Sequence, residues 1–445
     1  MKIYYILFVA MLFITACDND LDQFPPNIAS SDSLTEFDGV LNAAYFYNRA
    51  SVTPMAVMGD FRADNALMLE PPYTEFDEYD AGLKDMEEQF FGPIYTVLYK
   101  SILSCNIVIE NSTNGTEIGE AKFLRALAYF KLVRVFGDVT VNLSDSPSTT
   151  DMSILARTPA MEVYNNIIIP DLQDAIASLA IQITNGRASK LAAEGMLGKV
   201  YMQLGDFANA QMHLKAVLDG ADEAGISLQA DFASIFGAPN DLNSEIIFAT
   251  QISSSITDDY GFSEFWSWSG GLDTKSLMPL DADLIAAFDA VAGEIADPNV
   301  GDLRRAKTID VDLLASPKFP QTDGDDHDWI DLRLADVILM YAEALNETGS
   351  GAATVLGLLD DIRSRAGLNT LDAGAISSQS AVRQAIADER RLELAFEGHR
   401  WFDLVRTGTV DAEMGQTIDS RYYIFPVPES ELLASFNVIT QNAGY

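Results

Sequence analysis

Apolar residues recur at helical spacing through much of the chain, and segment 191–218 shows this most clearly. Leu197, Tyr201 and Leu214 belong to a pattern in which apolar positions three or four residues apart share one face. Gly205-Asp206 interrupts the pattern and predicts a tight turn between two helices. Small residues on the facing sides allow the two helices to approach closely. The segment therefore predicts a helix–turn–helix pair.

Two more segments, 121–136 and 334–363, carry related patterns. In the second, Gly349-Ser350-Gly351 interrupts the helical pattern, which resumes from Val355 to Ile362. The pairs resemble tetratricopeptide units, which bury their apolar faces only by stacking on neighbours. The gaps between them are irregular, so a regular solenoid is not predicted. We expect one mostly α-helical domain over residues 32–445, built round helix pairs near 121–136, 191–218 and 334–363, with irregular loop insertions.

Signals for β-strands are few. Segments 245–250 and 422–425 are short apolar runs bounded by polar residues. Each fits either a buried strand or the core of a loop, and the pattern does not decide between them.

The N-terminus has the pattern of an export signal. Lys2 precedes an apolar run over residues 3–16, which is shorter than the roughly 20 residues that cross a bilayer. Ile14-Thr15-Ala16-Cys17 fits a lipoprotein signal, in which the cysteine becomes the first residue and carries acyl chains. We therefore expect a signal peptide over residues 1–16, a lipid anchor on Cys17 and a tether over residues 17–31.

The formal net charge of −38 limits the partners of the chain. So acidic a protein repels the phosphates of nucleic acids and disfavours polyanionic ligands, unless a local basic patch overrides the average. With Cys17 acylated, Cys105 would have no disulfide partner, since the chain has two cysteines. Its apolar neighbours predict a packed, inert thiol.

The segment 388–408 carries the most specific motif, DERRLELAFEGHRWFDLVRTG. It resembles the C-terminal signature of the SusD/RagB family, and further family-like blocks occur at 59–65, 120–139, 243–248, 331–347 and 363–367. The end of the chain also resembles the family pattern, with Ala443 where proline is usual. Together these blocks cover most of the chain after residue 31.

The resemblance implies a SusD-like helical fold and a role in nutrient capture without catalysis. Members of the family are outer-membrane lipoproteins of Bacteroidetes that deliver ligands to a TonB-dependent, SusC-like transporter. The acidic stretch after Cys17 is similar to the signal that directs such lipoproteins to the cell surface. By resemblance, we expect a surface lipoprotein that captures a neutral oligosaccharide or polysaccharide. A member of the same fold that binds peptides is the first alternative.

Candidate catalytic and metal sites are weak in this sequence. The three histidines lie outside any zinc-protease helix motif, and His399 falls in the signature segment, where a structural role in a helix is expected. Acidic residues at 323–328 could hold calcium, but their spacing is not that of an EF-hand, so a solvated loop is favoured and no cofactor is predicted. A glycoside hydrolase needs only two carboxylates, and the 66 acidic residues leave that alternative open.

The charged residues of the signature segment have a structural interpretation as well as a catalytic one. They lie close to helical spacing, where opposite charges three or four positions apart can pair. We expect a buried or half-buried network of ion pairs from Glu389, Arg390, Arg391, Glu393, Glu397, Arg400 and Asp403.

Two aromatic segments are candidates for ligand binding. In the first, Trp266 and Trp268 stand among glycines and serines, and in an extended chain they project to the same side. Flat aromatic rings offer apolar area to the C–H face of a sugar at low entropy cost. We predict a stacking platform from Trp266 and Trp268, with Tyr260 and Phe265 beside it; a loop packed into the core by these rings is the alternative.

The second segment follows Pro71-Pro72 and contains Tyr73 and Tyr79 as candidate sugar contacts. Asp64 and Asn65, just before it, could hydrogen-bond to hydroxyl groups, although capping or scaffold roles fit equally well. The family resemblance implies that loops from the two aromatic segments converge in one shallow pocket. Stacking contacts of roughly 1 kcal/mol each predict a weak binder, on the order of micromolar to millimolar.

Overall fold

The computed structural model describes residues 34–148, 150–253, 280–291, 295, 297, 301–312, 315–319 and 327–445. The helices are α1 (Asp38–Arg49), α2 (Val52–Ala56), α3 (Glu75–Glu78), α4 (Gly92–Asn111), α5 (Gly115–Phe136), α6 (Ala160–Val163), α7 (Ile169–Ser178), α8 (Lys190–Leu204), α9 (Phe207–Ala224), α10 (Ala282–Ala290), α11 (Arg305–Thr308), α12 (Leu334–Glu347), α13 (Ala352–Gly357), α14 (Asp360–Arg365), α15 (Gln379–Leu394), α16 (Arg400–Thr407), α17 (Val410–Glu413) and α18 (Glu429–Ala434). The strands are β1 (Val139–Thr140), β2 (Arg157–Thr158), β3 (Ile246–Thr250) and β4 (Trp329–Arg333).

The longer helices pack on one another in series. Helix α4 lies between α1 and α5, α5 packs on α7, α7 on α8, α8 on α9, α9 on α12, and α12 on α15. This is the stacking expected of helix pairs that cannot bury their apolar faces alone. The mostly α-helical fold with few short strands is confirmed.

The helices α8 and α9 form the pair predicted from segment 191–218. The side chain of Ser189 caps the start of α8 by accepting a hydrogen bond from the N–H of Ala192, 3.1 Å away. Gly205 ends α8 in the left-handed conformation, and Asp206 caps α9 by accepting from Asn209. Gly198 faces Leu214 so closely that a Cβ would lie 2.6 Å from that side chain. The small residue therefore sets the distance between the two helices.

The other predicted segments are helical with changed bounds. The first belongs to α5, a longer helix that Asn114 caps by accepting from the N–H of Thr116. In segment 334–363 the single helix expected after the glycines is divided into α13 and α14 by a turn at Leu358 and Leu359. Leu359 and Ile362 are nevertheless buried, so the apolar face predicted by the spacing is retained.

One of the two apolar runs left open by the sequence is a strand. Strand β3 pairs antiparallel with β4, and all residues of both strands are buried. The other run lies in a 3₁₀ turn and the loop after it, with Phe425 buried in the core. Strand β4 was not predicted, because its five residues run directly into the helical pattern of α12.

The signature segment is divided by a turn, which corrects the expectation that His399 lies inside a helix. Helix α15 ends at Leu394 and α16 begins at Arg400. Between them, Phe396 and Gly398 have positive φ angles of 65° and 78°. The N–H of Gly398 donates to the buried carboxylate of Asp60, which lies in the π-helical turn Val57–Phe61. A long-range contact thus replaces the helical hydrogen bonds that local spacing favours.

The predicted network of ion pairs is confirmed and is largely buried. Arg333 donates to Glu245 at 2.8 Å, Glu393 at 2.7 Å and Glu397 at 2.7 Å. Burial alone would raise the pKa of Glu393, but Arg365, Arg333 and Arg304 lower it to about 2. Every carboxylate of this network has at least one cationic partner, as burial of charge requires.

The core among the described residues has a large cluster, which includes the free thiol, and a smaller one between α12, α13, α14 and α15. Cys105 is buried, and burial raises the pKa of its thiol to about 12, which is the inert environment expected. Within the described part of the chain, segment Ala81–Asn111 is long and apolar enough to cross a membrane. More than half of its most apolar window is buried inside the protein, which is typical of a core helix.

Candidate functional site

Residues 280 and 281 pair with the chain just before the second aromatic segment. Ala66 forms an antiparallel bridge with Leu280, and the N–H of Asp281 donates to the carbonyl oxygen of Asn65 at 3.0 Å. In the sequence, Leu280 follows the first aromatic segment, 260–271, by nine positions. Trp266, Trp268, Tyr260 and Phe265 lie outside the described residues, as does Cys17. The platform itself stays a prediction.

The loop after Ala66 presents apolar side chains to solvent. Leu67 is 40% exposed and Leu69 is 58% exposed. Tyr73 is half-buried: its ring meets Phe90 edge to face at 6.4 Å, and its hydroxyl accepts from Gln89 at 2.9 Å. Part of the Tyr73 side chain therefore stays accessible, while its contacts with Phe90 and Gln89 fix its position. A residue that contacts a weakly bound ligand needs both properties.

Tyr79 belongs to the scaffold. It is only 8% exposed, its hydroxyl donates to the carbonyl oxygen of Arg62 at 2.7 Å, and its ring stacks on Trp401 at 5.8 Å. The guanidinium of Arg62 lies 4.7 Å from the centre of the same ring. With both the hydroxyl and the ring occupied, this placement argues against a direct contact between Tyr79 and a ligand.

Asp64 and Asn65 are also part of the scaffold, which is one of the two roles considered for them. Arg400 donates to both carboxylate oxygens of Asp64, each at 2.7 Å, and Arg391 lies 3.0 Å from the same group. The side-chain amide of Asn65 donates to Asp60 at 2.9 Å. The bonds from Arg391 and Arg400 attach the start of the loop to the signature segment. Together, these bonds engage the polar groups with which a sugar would otherwise form hydrogen bonds.

Burial raises the pKa values of two acidic groups beside the loop. For Asp77 it raises the pKa to about 7, and the neighbouring Asp281 and Glu78 add to the effect. The N–H of Met68 donates to Asp77 at 2.7 Å and opposes it. Burial likewise raises the pKa of Asp281. Near neutral pH Asp77 is therefore partly protonated.

Three of the cavities lie elsewhere. Two of them flank α15 and measure about 260 Å³, beside α16, and about 530 Å³, beside α10. Neither of these two is lined by Phe, Tyr or Trp among the described residues; charged and small aliphatic side chains line both, so they lack the flat rings that stacking on sugars uses. The third cavity measures about 380 Å³ and is lined by Tyr45, Phe46 and Phe248 among others.

Sequence reasoning missed Leu67 and Leu69. The only signal was the run Leu67-Met68-Leu69 before two prolines, which also fits a buried segment. The bridge to Leu280, which orients the run, depends on a contact more than 200 positions away and leaves no local pattern.

Two of the histidines, His399 and His213, have structural surroundings. Burial, and then the charge of Lys199, lower the pKa of His399 to about 3, so its imidazole is neutral. His213 is held by Glu194 at 2.6 Å and stacks on Tyr201. No group of three or more His, Cys, Asp or Glu side chains in metal-binding geometry occurs among the described residues. Residues 323–326, which include three carboxylates of the acidic loop, lie outside them.

Comparison with known proteins identifies the family. Residues 303–420 match the model of the SusD family, and residues 18–202 match a family described as starch-binding and associating with the outer membrane. A SusD-like protein of Formosa agariphila is 26% identical over an alignment of 513 positions, gaps included, which covers 100% of both chains. A SusD-like protein of Bacteroides ovatus is also 26% identical and covers 91% of this chain and 82% of its own.

Solved structures agree in fold. A SusD superfamily protein of Parabacteroides distasonis superposes with a TM-score of 0.76 at 23% identity, over 94% of this chain and 100% of that one. A laminarin-binding SusD-like protein superposes with a TM-score of 0.73 at 24% identity, over 93% of this chain and 99% of that one. The chain therefore shares the stacked-helix fold of these structures. The chain belongs to the SusD-like family.

Proposed function

We propose that this protein is a surface glycan-binding lipoprotein of the outer membrane, without catalytic activity of its own. It captures a neutral oligosaccharide or polysaccharide and delivers it to a SusC-like, TonB-dependent transporter. The match of residues 18–202 to a family described as starch-binding and associating with the outer membrane carries this proposal. The laminarin-binding relative in fold and the net charge of −38, which disfavours polyanions, give it further support.

The binding surface in this proposal is the loop after Ala66 together with the tryptophan segment. Leu67, Leu69 and Tyr73 supply accessible apolar area on the described side. Trp266 and Trp268 supply the stacking rings in this proposal, and the Ala66–Leu280 bridge, nine positions after their segment in the sequence, supports it. A few stacking contacts of roughly 1 kcal/mol each suit capture followed by release.

The lipid anchor in this proposal is Cys17. Acyl chains on this residue would hold the protein to the outer membrane, and residues 18–31 would give the domain reach above it. Replacement of Cys17 by serine should move the protein from the membrane fraction to the soluble fraction of the cell envelope. A protein that stays in the membrane fraction after this change would contradict the anchor.

The ligand site is tested by affinity gels that contain soluble polysaccharides. The double variant Trp266→Ala/Trp268→Ala should lose the retardation that the wild-type protein shows with its glycan. Phe436→Ala is the matched control, because Phe436 is an aromatic residue 80% exposed on another part of the surface. Equal retardation of the wild type and the double variant would reject the site.

The alternatives are tested with the same pure protein. A peptide cargo predicts no retardation by any polysaccharide of a broad panel, and a calorimetric signal with peptides in its place. A glycoside hydrolase predicts new reducing ends that accumulate with time in the polysaccharide solutions. Either result would overturn the proposed function, whereas retardation without new reducing ends supports it.

A further inference from the structure

Arg134 is a cation that pairs directly with no carboxylate among the described residues, although Asp403, Asp331 and Asp336 act on it at longer range. It lies in the last turn of α5, with its guanidinium carbon 4.2 Å from the ring centre of Phe130 and 4.5 Å from that of Phe402. Its Nε is buried and has no hydrogen-bond partner, and among the described residues Arg134 forms no ion pair. Aromatic rings stabilise a cation that lies over their faces. They do not accept hydrogen bonds from the N–H groups of the guanidinium, which point outward in its plane.

The charge around Arg134 does not balance. Three other cations lie with it round one cavity: Lys199, Arg390 and Arg406. Their partners are three carboxylates. Asp336 pairs with Lys199 and Arg390, and Asp403 pairs with Arg390 and Arg406. The third, Glu343, pairs with Arg406. Four cations thus face three anions, and one positive charge is left over in a protein whose net charge is −38.

Two titratable groups bear on this excess, His399 and Lys199; burial lowers the pKa of Lys199, and Asp336, 3.1 Å away, opposes the shift. The imidazole of His399 is neutral, since burial and Lys199 lower its pKa to about 3. Burial lowers the pKa of Arg134 to about 10, so it stays protonated at neutral pH. Lys131 is 3.3 Å from Asp331, and that neighbouring pair adds no net charge.

The cavity beside these groups has the size of one small ion. It measures about 20 Å³ and is lined by Arg134, Lys199, His399, Gln203, Phe402 and others. A cavity of roughly 10–15 Å³ already holds one water molecule, so a single monatomic ion fits, and a sulfate or a sugar carboxylate does not. Arg134 is not completely buried, so the ion can exchange with solvent.

We propose that this cavity is a binding site for one chloride ion. The ion accepts hydrogen bonds from Arg134 and supplies the fourth negative charge of the cluster. It links α5, which carries Arg134, with α8, which carries Lys199, and with α16, which carries Arg406. The site therefore couples the middle of the helix stack to the signature segment.

The first test is thermal unfolding of the full chain at constant ionic strength, with chloride exchanged for gluconate. Constant ionic strength is essential, because any salt screens the repulsion within so acidic a protein. Chloride at 300 mM should raise the Tm of the wild type by on the order of 1–2 °C over gluconate, by mass action on the folded state. Arg134→Met should lose this difference, whereas Arg421→Met, at an exposed ion pair, should keep it.

The second test does not depend on a variant that folds. Crystals of the wild-type protein grown or soaked in bromide should show an anomalous peak in the cavity between Arg134 and Lys199. A cavity that holds only water in bromide would overturn the proposal. The proposal would also be overturned if the wild type had the same Tm in chloride and in gluconate, or if Arg134→Met kept the difference between the two salts.

Discussion

Gly59 and Gly398 touch through their backbones. A Cβ added to Gly59 would lie 2.4 Å from the carbonyl oxygen of Gly398, a distance that real side chains do not reach. Gly398 itself has a φ of 78° and lies against Trp329, so neither glycine can yield easily. The contact joins the π-helical turn before the candidate loop to the turn that divides the signature segment. It fixes the turn from which the candidate loop continues against the signature segment.

Replacement of Gly59 by alanine should therefore lower the free energy of unfolding by at least about 2 kcal/mol, since the added methyl group meets backbone atoms. Gly39→Ala is the matched control: Gly39 is also helical, and nothing lies within 4 Å of its added Cβ. That change should stabilise by about 0.5–1 kcal/mol. Urea unfolding of both variants measures the difference, and a neutral Gly59→Ala would contradict the close contact.

Glu393 is the centre of the buried ion pairs. It accepts from Arg333 at 2.7 Å, from Arg365 at 2.5 Å and from Arg304 at 3.3 Å. Glu393→Gln leaves these cations without a full counter-charge and should cost about 3–5 kcal/mol of stability. Asp419→Asn, at an exposed pair with Arg421, should change it by less than about 1 kcal/mol. Similar effects in the two variants would mean that the network is open to water.

Asp77 predicts how stability depends on pH. Its pKa is raised to about 7 in the folded protein from an ordinary value of 3.8, so the folded state holds its proton more tightly than the unfolded state. Protonated Asp77 makes its full contribution to the free energy of unfolding below about pH 4. This contribution is lost as the pH rises through 7.

Asp77→Asn mimics the protonated form and keeps an oxygen for the N–H of Met68. Relative to the wild type, the variant should be more stable at pH 8 than at pH 5, by at least about 1 kcal/mol, the equivalent of one pKa unit. Glu223→Gln, at an exposed position of α9, controls for the change in net charge. Thermal unfolding at the two pH values measures the effect. A variant with the same advantage at both would show that Asp77 titrates normally.

Tyr73 and Tyr79 should respond differently to replacement. Tyr73→Ala removes accessible ring surface and should weaken retention by glycan gels about five-fold, the equivalent of roughly 1 kcal/mol. Tyr79→Phe removes the hydrogen bond to the carbonyl of Arg62 and should cost about 1–3 kcal/mol of stability while retention is unchanged. Affinity gels and urea unfolding of the same preparations separate the two effects. Reduced retention in Tyr79→Phe alone would reverse the assignment of the two residues.

Much of the helical architecture could be predicted from local patterns. The spacing of apolar residues in 191–218 and the glycine between the two halves predict α8 and α9, because helix periodicity and turn geometry depend on neighbours a few positions apart. The charges of segment 388–408 predicted that an ion-pair network exists, but not its partners, most of which come from distant segments and not from positions three or four residues away. The family motifs in that segment then led to the correct family.

The sequence by itself determined the helices, the acidic character of the surface and the family, since each is written in residues close together or in composition. Only the tertiary structure decided which polar side chains already have hydrogen-bond or ion-pair partners within the protein. Asp64 and Arg400 are 336 positions apart, and nothing near either residue shows that they pair. Tyr79 is buried because Trp401 and Arg62 surround it, and the chain divides at Gly398 because Asp60 and Gly59 lie against it. Such contacts follow from packing between distant segments, and local spacing carries no record of them.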